Sequence, residues 1–258
     1  MSVQIKNLSV GLGNNQLLHN VNLDVADHER IGLIGASGSG KSLITKAILG
    51  TLPRSMRVEG QILIDGVNVL ELSEHERAAM RGTYMTAVFQ NPVAALNPVV
   101  SVRANVELPL TLHYNLSAAE RLHRVQQALE SVGLDSDLVS RYPSELSGGQ
   151  AQRAAIAQAV VAHPQLLIAD EPTTAVDSIV QKQIMDVLVE RSDKQNLSVI
   201  FASHDFAVIS RVAHRCYVIN NGGVVDSGRL EELYESSVDY TRQLVEAARS
   251  IAVRGEGE

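Results

Sequence analysis

Eight consecutive residues near the start of the chain have the types and spacing of a phosphate-binding loop. They are Gly35, Ala36, Ser37, Gly38, Ser39, Gly40, Lys41 and Ser42. A strand-like apolar run precedes them and a helix-compatible stretch follows, which is the order that such a loop requires. Glycine amides can surround the β- and γ-phosphates of a nucleotide, Lys41 can bridge phosphate oxygens, and the Ser42 hydroxyl can ligate Mg²⁺. The alternative is a chance glycine-rich turn, which the flanking strand and helix disfavour.

Two adjacent acids, Asp170 and Glu171, end a second apolar run. The four residues before them, Leu166 to Ala169, have the composition of a buried parallel strand. Because open α/β sheets bind ligands beyond the carboxyl ends of their strands, carboxylates at this position suit a nucleotide site. Asp170 would hold Mg²⁺, directly or through water, and Glu171 would polarise the attacking water. A strand that ends in a solvated acidic turn is the alternative, and the phosphate loop makes it the less favoured one.

A second glycine-rich motif, Leu146-Ser147-Gly148-Gly149-Gln150, lies past the middle of the chain. Ser147 precedes a helix-forming stretch that stops at Pro164, so that Ser147 is predicted to be the N-cap of that helix. The amides of Gly148 and Gly149 then lie at the positive end of the helix, which favours an anion. An ordinary helix cap with a glycine-rich loop is the alternative.

Together these motifs resemble the nucleotide-binding subunit of an ABC transporter, and the resemblance covers nearly the whole chain. Further matches follow in the order typical of that family: Gln90 resembles its Q-loop glutamine, Thr174 to Asp177 its D-loop, and His204 its switch histidine. Leu146 to Gln150 matches its signature motif. The resemblance implies an α/β fold, namely a P-loop NTPase core with a mostly parallel sheet, an N-terminal antiparallel β-subdomain and an inserted α-helical subdomain.

The same resemblance implies ATP and Mg²⁺ as cofactors, and ATP hydrolysis coupled to transport as the activity. Gln90 would sense Mg²⁺ and the γ-phosphate, and His204 would contact the γ-phosphate, so that both join Glu171 as catalytic residues. The implied metal ligands are Ser42, Gln90 and Asp170. The signature residues would contact the γ-phosphate of ATP bound by a second subunit. The implied residues of this part of the nucleotide site are Ser147, Gly148, Gly149, Gln150 and Asp177.

Leu12 departs from the family pattern. It occupies the position near the start of the domain where the family usually has an aromatic residue that stacks on adenine. Leucine can cover the purine face by dispersion, but it lacks the ring quadrupole. Only 3% of the residues are aromatic, and none near Leu12 is an obvious substitute. We therefore expect loose base selectivity.

The composition fits an enzyme with its own hydrophobic core and no membrane-spanning segment. The chain has 258 residues, 45% of them hydrophobic, and no apolar run approaches the roughly 20 residues that cross a bilayer. The N-terminus lacks the pattern of a signal peptide. A net charge of −7 argues against nucleic acid as a partner. The single cysteine, Cys216, lies in a strand-like run and is predicted to be a buried structural thiol.

Membrane contact is therefore expected to come through partner proteins. The resemblance implies two polytopic membrane permease subunits, a second ATPase subunit that is identical or homologous, and, indirectly, an extracytoplasmic solute-binding protein. It also implies a peripheral location on the cytoplasmic face of the cell membrane.

Alternating and turn-forming residues outline the architecture. Val3 to Val10 alternates imperfectly and Val21 to Val25 alternates strictly, which is typical of antiparallel strands with one wet face. Asp65-Gly66 predicts a type I′ hairpin, Asn221-Gly222 marks another turn, and Ser117 with Glu120 forms a capping box. The predicted domain layout is a nucleotide-binding domain over 1–250, a helical subdomain inserted at about 92–160, and a disordered tail over 251–258.

Three segments narrow the subgroup within the family. Gln90 to Pro98, Arg141 to Glu145 and Asp239 to Leu244 resemble the ATPases of oligopeptide, dipeptide and nickel importers. The chain ends at Glu258 without the cysteine-rich extension common in peptide-importing members, which favours the nickel or metal-chelate branch over peptides. A non-transport ABC ATPase of the iron–sulfur cluster assembly type is the alternative. It would co-purify with soluble partners, whereas a transporter subunit would co-purify with polytopic ones.

Overall fold

A computed structural model describes residues 1–90, 95–172 and 178–255 of the chain, which divides into two compact units. The first unit comprises Met1–Ser73 with Ser198–Glu258, and the second comprises Glu74–Leu197. The described strands are β1 Val3–Leu12, β2 Asn15–Val25, β3 Arg30–Ile34, β4 Met56–Ile64, β5 Val67–Asn68, β6 Met85–Val88, β7 Leu166–Asp170, β8 Ser198–Ser203, β9 Arg215–Asn220 and β10 Gly223–Arg229. The described helices are α1 Lys41–Leu49, α2 Glu74–Met80, α3 Val102–His113, α4 Ala118–Ser131, α5 Gly148–Val160, α6 Ser178–Gln195, α7 Phe206–Ile209, α8 Leu230–Tyr234 and α9 Asp239–Gly255.

The first unit contains an antiparallel sheet in the order β2-β1-β4-β5. Val3 and Ile5 of β1 are buried while Gln4 and Lys6 are exposed, so one face of the sheet packs on the core. The alternation breaks at Asn7, whose φ is 53°, and the register between β1 and β2 shifts between Ile5 and Leu8. This bulge explains why the sequence alternates imperfectly there.

Two tight turns have the geometry that their sequences predict. Asp65 and Gly66 join β4 to β5 with φ values of 46° and 83°. Asn221 and Gly222 join β9 to β10 with φ values of 46° and 79°. Positive φ at both central residues defines a type I′ turn, whose twist matches that of the flanking strands. The Asp65-Gly66 hairpin and the Asn221-Gly222 turn are therefore confirmed.

A second set of strands in the first unit, in the order β10-β9-β3-β8, supplies the parallel core. β3 lies between β9 and β8 and runs parallel to both, while β10 pairs antiparallel with β9. All of β8 is buried, as expected of a strand covered on both faces. The mixture of parallel and antiparallel sheets with helices confirms the predicted α/β fold class.

Arg215 of β9 connects elements of the first unit through charge. Its Nε donates to Glu29 at 2.6 Å and its Nη2 donates to Asp24 of β2 at 2.8 Å. The Tyr217 hydroxyl donates to Asp24 at 2.9 Å. Burial raises the pKa of Glu29, but hydrogen bonds from Arg215 and the Ala26 amide outweigh it and hold that pKa below its ordinary value. The network fixes the turn that leads into β3, and so into the glycine-rich loop.

The second unit combines a parallel strand pair, β6 and β7, with helices. Helices α3, α4 and α5 pack on one another. The predicted capping box of α4 is present: the Ser117 hydroxyl accepts from the Glu120 amide, and the Glu120 carboxylate accepts from the Ser117 amide at 2.8 Å. Gly133, with a φ of 63°, follows the helix in the left-handed conformation that ends it.

Two of the sequence-based predictions concern residues that lie partly or wholly outside the described ranges. The segment Thr174 to Asp177 lies outside the described residues. The backbone is helical as far as Gly255, within the segment 251–258 for which the sequence predicts disorder, and residues 256–258 lie outside the description. None of the helices in the described ranges is long and apolar enough to cross a membrane.

Cys216 lies on β9 with no exposed surface, which confirms a buried structural thiol. Burial raises its pKa to about 12, so the thiolate is not populated near neutrality. Its sulfur packs beside Gly32 of β3. A Cβ added at Gly32 would lie 2.7 Å from the Cys216 Sγ and 2.4 Å from the Ile209 Cγ2. The glycine therefore allows α7 and β9 to approach β3 closely.

We predict that Gly32→Ala lowers the free energy of unfolding by about 1–3 kcal/mol, because the added methyl overpacks the core between β3, β9 and α7. Gly223→Ala is the matched control, since a Cβ there meets no atom closer than 3.8 Å. Urea denaturation followed by circular dichroism measures both. A midpoint for Gly32→Ala equal to that of Gly223→Ala would contradict the packing argument.

Candidate nucleotide-binding site

The glycine-rich loop joins β3 to α1, as the sequence predicts, and its backbone depends on glycine. Gly38 has a φ of 79° and Gly40, the N-cap of α1, a φ of 116°. Other residues rarely adopt either conformation. The first turn of α1 contains no acidic residue, so the positive end of the helix is not neutralised by its own side chains. The loop and helix start thus form a site suited to an anion.

Lys41 is buried, with 4% of its surface exposed, and its ammonium faces the loop. Its Nζ donates to the carbonyl of Gly35 at 2.7 Å and to that of Ala36 at 3.0 Å. A buried ammonium requires such partners, because desolvation of an unpaired charge costs several kcal/mol. Its charge is therefore held at the loop, where phosphate oxygens can compete for the same donor hydrogens.

The turn between β9 and β10 supports the loop from behind. The Gly222 amide donates to the Ser39 carbonyl at 2.9 Å, and the His19 amide of β2 donates to the Gly222 carbonyl at 2.8 Å. A Cβ at Gly35 would approach the Ile219 carbonyl oxygen to 2.1 Å, so no other residue fits there without movement. Backbone contacts with the turn between β9 and β10 therefore hold this side of the loop.

His204 lies beside the same loop in the first unit. β3 and β8 are parallel with Ile34 paired to Ser203, so His204 follows β8 at the sheet edge where Gly35 follows β3. The side chain of His204 is exposed. The next residue, Asp205, caps α7 by accepting from the Ala207 amide at 2.8 Å. This cap orients the segment that carries His204, and sequence analysis missed it although an Asp before a helical stretch is a capping signal.

Gln90, Asp170 and Glu171 share one edge of the second unit. β6 and β7 are parallel with Val88 paired to Ala169, so Gln90 and Glu171 each follow two residues after that pair. Asp170 is buried, with 6% exposed. Glu171 has a φ of 49°, an unusual conformation for a non-glycine residue and one that clusters at functional sites. The structure thus brings together the amide and the two carboxylates that the sequence assigns to Mg²⁺ and water.

The signature residues start α5 as predicted. The Ser147 hydroxyl accepts from the Gln150 amide at 3.3 Å, and the Gln150 side chain accepts from the Ser147 amide at 2.9 Å. Sequence analysis predicted the Ser147 cap but not this capping box, although the S-x-x-Q spacing is its signal. The Gln150 side chain is part of the cap. The cap does not use the amides of Gly148 and Gly149, which belong to the first turn, where no acidic residue lies.

Leu12 ends β1, with 44% of its surface exposed. An exposed leucine at a strand end is available to contact a ligand, and its assignment to adenine stays a prediction. Asp177, which the resemblance assigns to the D-loop, lies outside the described residues.

The residues present fit a nucleotide and its magnesium ion. A Cβ would lie 2.1 Å from the Ile219 carbonyl oxygen at Gly35 and 2.6 Å from the Leu18 Cδ2 at Gly40, so both positions suit glycine, and the buried Lys41 ammonium supplies positive charge. Hydroxyl, amide and carboxylate oxygens at Ser42, Gln90 and Asp170 are of the type that Mg²⁺ prefers.

Comparison with protein families and characterised proteins agrees with this chemistry. Residues 18–174 match the family model described as ABC transporter. The chain is 34% identical to the dipeptide transport ATP-binding protein DppD of Lactococcus lactis subsp. cremoris (strain MG1363), over 96% of this chain and 74% of that protein. It is also 34% identical to the oligopeptide transport ATP-binding protein OppD of Bacillus subtilis (strain 168), over 99% of this chain and 74% of that protein.

Solved structures give the same result. The ATP-binding cassette MJ0796, a dimer in a post-hydrolysis state bound to ADP and Pi, superposes with a TM-score of 0.80 at 31% identity, covering 88% of this chain and 98% of that one. The cbiO1 protein of Clostridium perfringens, part of the ABC transporter complex cbiONQ, superposes with a TM-score of 0.80 at 27% identity, covering 98% of both chains. The chain therefore belongs to the ABC transporter ATP-binding family.

Proposed function

We propose that this chain is the ATPase subunit of a peptide importer, in which ATP binding and hydrolysis drive uptake of the solute. The observation that carries the ATPase assignment is the glycine loop with a buried Lys41 whose ammonium is held by loop carbonyls. Peptides are proposed as the solute because similar proteins are dipeptide and oligopeptide transport ATP-binding proteins.

Phosphate binding is assigned to the first unit. The loop amides and the start of α1 would bind the β- and γ-phosphates, and Lys41 would transfer from its carbonyl partners to phosphate oxygens. His204, exposed at the same sheet edge, would contact the γ-phosphate. Bound Mg²⁺ would neutralise phosphate charge, with Ser42, Gln90 and Asp170 as its protein-side donors.

Water activation is assigned to Glu171. Its carboxylate would accept a proton from the attacking water, and the fixed backbone at φ 49° would limit the directions in which the side chain can extend. Gln90 lies at the same edge of the second unit and would orient the same water or the γ-phosphate. The two side chains together would position the nucleophile.

The signature motif is assigned to a second subunit's nucleotide. A helix start with glycine amides and no acidic residue in its first turn is suited to an anion. The phosphates bound by the chain's own loop already have a helix start, that of α1. A head-to-tail pair of ATPase subunits would let each signature motif act on the γ-phosphate held by the other subunit. MJ0796, which is similar to this chain, is a dimer.

The remaining partners follow from this assignment. The pair of ATPase subunits, identical or homologous, would bind two polytopic permease subunits on the cytoplasmic face of the membrane, and an extracytoplasmic protein would deliver the solute. Closure of the pair would move the helical segments after Gln90 and pass that motion to the permeases. Nickel or a metal chelate is the competing solute.

The first prediction tests the catalytic assignment. Glu171→Gln should lower ATP turnover by at least about a hundredfold, because it removes the base, while ATP affinity stays within about twofold. Lys41→Ala should instead weaken ATP binding by about tenfold or more, because a charge-assisted bond to phosphate is lost. Lys46→Ala, on the exposed side of the same helix, controls for the change in net charge. Calorimetry and phosphate release measure the two quantities, and normal turnover by Glu171→Gln would reject the assignment.

The second prediction tests action across the dimer. A Lys41→Ala subunit mixed with a Gly149→Asp subunit should recover activity, because one composite site then keeps both its phosphate loop and its signature motif. Aspartate in a first helical turn is compatible with the helix and repels phosphate, so folding of α5 should be preserved. The test requires that the chain pairs with itself, or that its partner carries the equivalent changes. Inactive mixtures in verified mixed dimers would show that the motif acts within its own subunit.

The third prediction tests the solute. Cells that lack the gene for this chain should lose uptake of radiolabelled di- or oligopeptides and retain uptake of radioactive nickel. The wild-type chain should restore peptide uptake and the Glu171→Gln variant should not. Loss of nickel uptake with normal peptide uptake would instead assign the transporter to metal.

A further inference from the structure

The C-terminal helix α9 reaches the phosphate loop through one side chain. The hydroxyl of Tyr240 accepts a hydrogen bond from the Ala36 amide at 2.9 Å. Both residues belong to the first unit, although 204 positions separate them in sequence. Tyr240 lies in the segment Asp239 to Leu244, which resembles importer ATPases and to which the proposed function gives no role. A side chain from the end of the chain thus contacts the loop that is assigned to phosphate.

The position of Tyr240 is set by bonds to β10. Its neighbour Thr241 is fully buried, and the Thr241 hydroxyl donates to the Asp226 carboxylate at 2.7 Å. The Ser236 hydroxyl donates to the same carboxylate oxygen, and it also accepts from the Val238 amide at 3.1 Å. Asp226 therefore fixes both the turn before α9 and the first turn of the helix. Because the start of α9 is fixed in this way, the Tyr240 hydroxyl has a defined position at the loop.

The Gly35–Ala36 segment is held from two sides. Lys41 donates to the carbonyls of Gly35 and Ala36, and Tyr240 accepts from the Ala36 amide. If Lys41 turns to phosphate oxygens when nucleotide binds, its bonds to these carbonyls weaken. The bond from Ala36 to Tyr240 does not depend on Lys41, so it can hold the segment in place during that exchange.

We propose that Tyr240 is a positioning residue for the phosphate loop, whose hydroxyl holds the Gly35–Ala36 segment in the shape that receives nucleotide phosphates. The inference rests on the proposed ATP site and adds to it a residue outside the family's phosphate-binding motifs. Tyr240 acts through the loop backbone. Its effect is therefore on nucleotide affinity, and it should be the same whichever base the nucleotide carries.

The experiment removes the hydroxyl alone. Tyr240→Phe in the full chain should weaken binding of ATP by about two- to tenfold, the range that one net hydrogen bond represents in an equilibrium constant. GTP should lose affinity by the same factor, because it shares the phosphates. Tyr234→Phe on α8 is the matched control, since the contacts of Tyr234 with Phe206 and Arg249 are made by its ring and survive loss of the hydroxyl. Calorimetry gives the dissociation constant and the stoichiometry together.

The outcomes separate positioning from a role in folding alone. A purely structural role would lower the stoichiometry or the unfolding temperature and leave the dissociation constant of the folded protein unchanged, which would overturn the proposal. A loss confined to ATP would place Tyr240 at the base and would also overturn it. A wild-type chain that binds no ATP would reject the proposed function itself, whereas tight wild-type binding with an unchanged Tyr240→Phe constant would reject only this inference.

Discussion

The candidate site in the first unit depends on one constraint: an amide that binds phosphate is not available to hold the loop. The Ser39 amide donates to the Ala36 carbonyl and the Ala36 amide donates to Tyr240, so the rest of the loop's support comes from neighbouring residues. Gly222 supplies a backbone bond to the Ser39 carbonyl, and β2 holds Gly222 in turn. The close approach of Gly35 to Ile219 leaves no space for a side chain. The type I′ turn between β9 and β10 therefore serves the site as much as the sheet, because its tight backbone is what allows this contact.

The register of the parallel strands places the other candidate functional residues. In the first unit the pairing of Ile34 with Ser203 sets His204 at the same edge as the loop. In the second unit the pairing of Val88 with Ala169 sets Gln90 at the same edge as Glu171. Both β7 and β8 are buried along their whole length, so the polar residues that follow them are the first that can face a ligand.

Sequence analysis recovered features whose physical cause is local. The phosphate loop, the Ser117 and Ser147 caps and the Asn-Gly and Asp-Gly turns each follow from a few adjacent residues with restricted backbone or capping preferences. It missed contacts made at long range, such as Gly222 with Ser39 and Tyr240 with Ala36. Turn and helix residues of these types occur in most chains, and only the packed fold shows which of them meets the loop.

Helix starts show how the chain distinguishes anion sites from ordinary caps. α2, α4, α8 and α9 have acidic residues in their first turns, which offset the positive end of the helix. α1 and α5 have none, and both begin at glycine-rich motifs. α3 also lacks an acid, but its first amides are already bonded, since the Val102 and Arg103 amides donate to the carbonyls of Arg141 and Val139. α6 and α7 have no acidic residue in the first turn either, but the Asp205 carboxylate caps α7 by accepting from the Ala207 and Val208 amides. The lack of an acid is therefore not sufficient to mark an anion site, and a glycine-rich start is the second feature that α1 and α5 share.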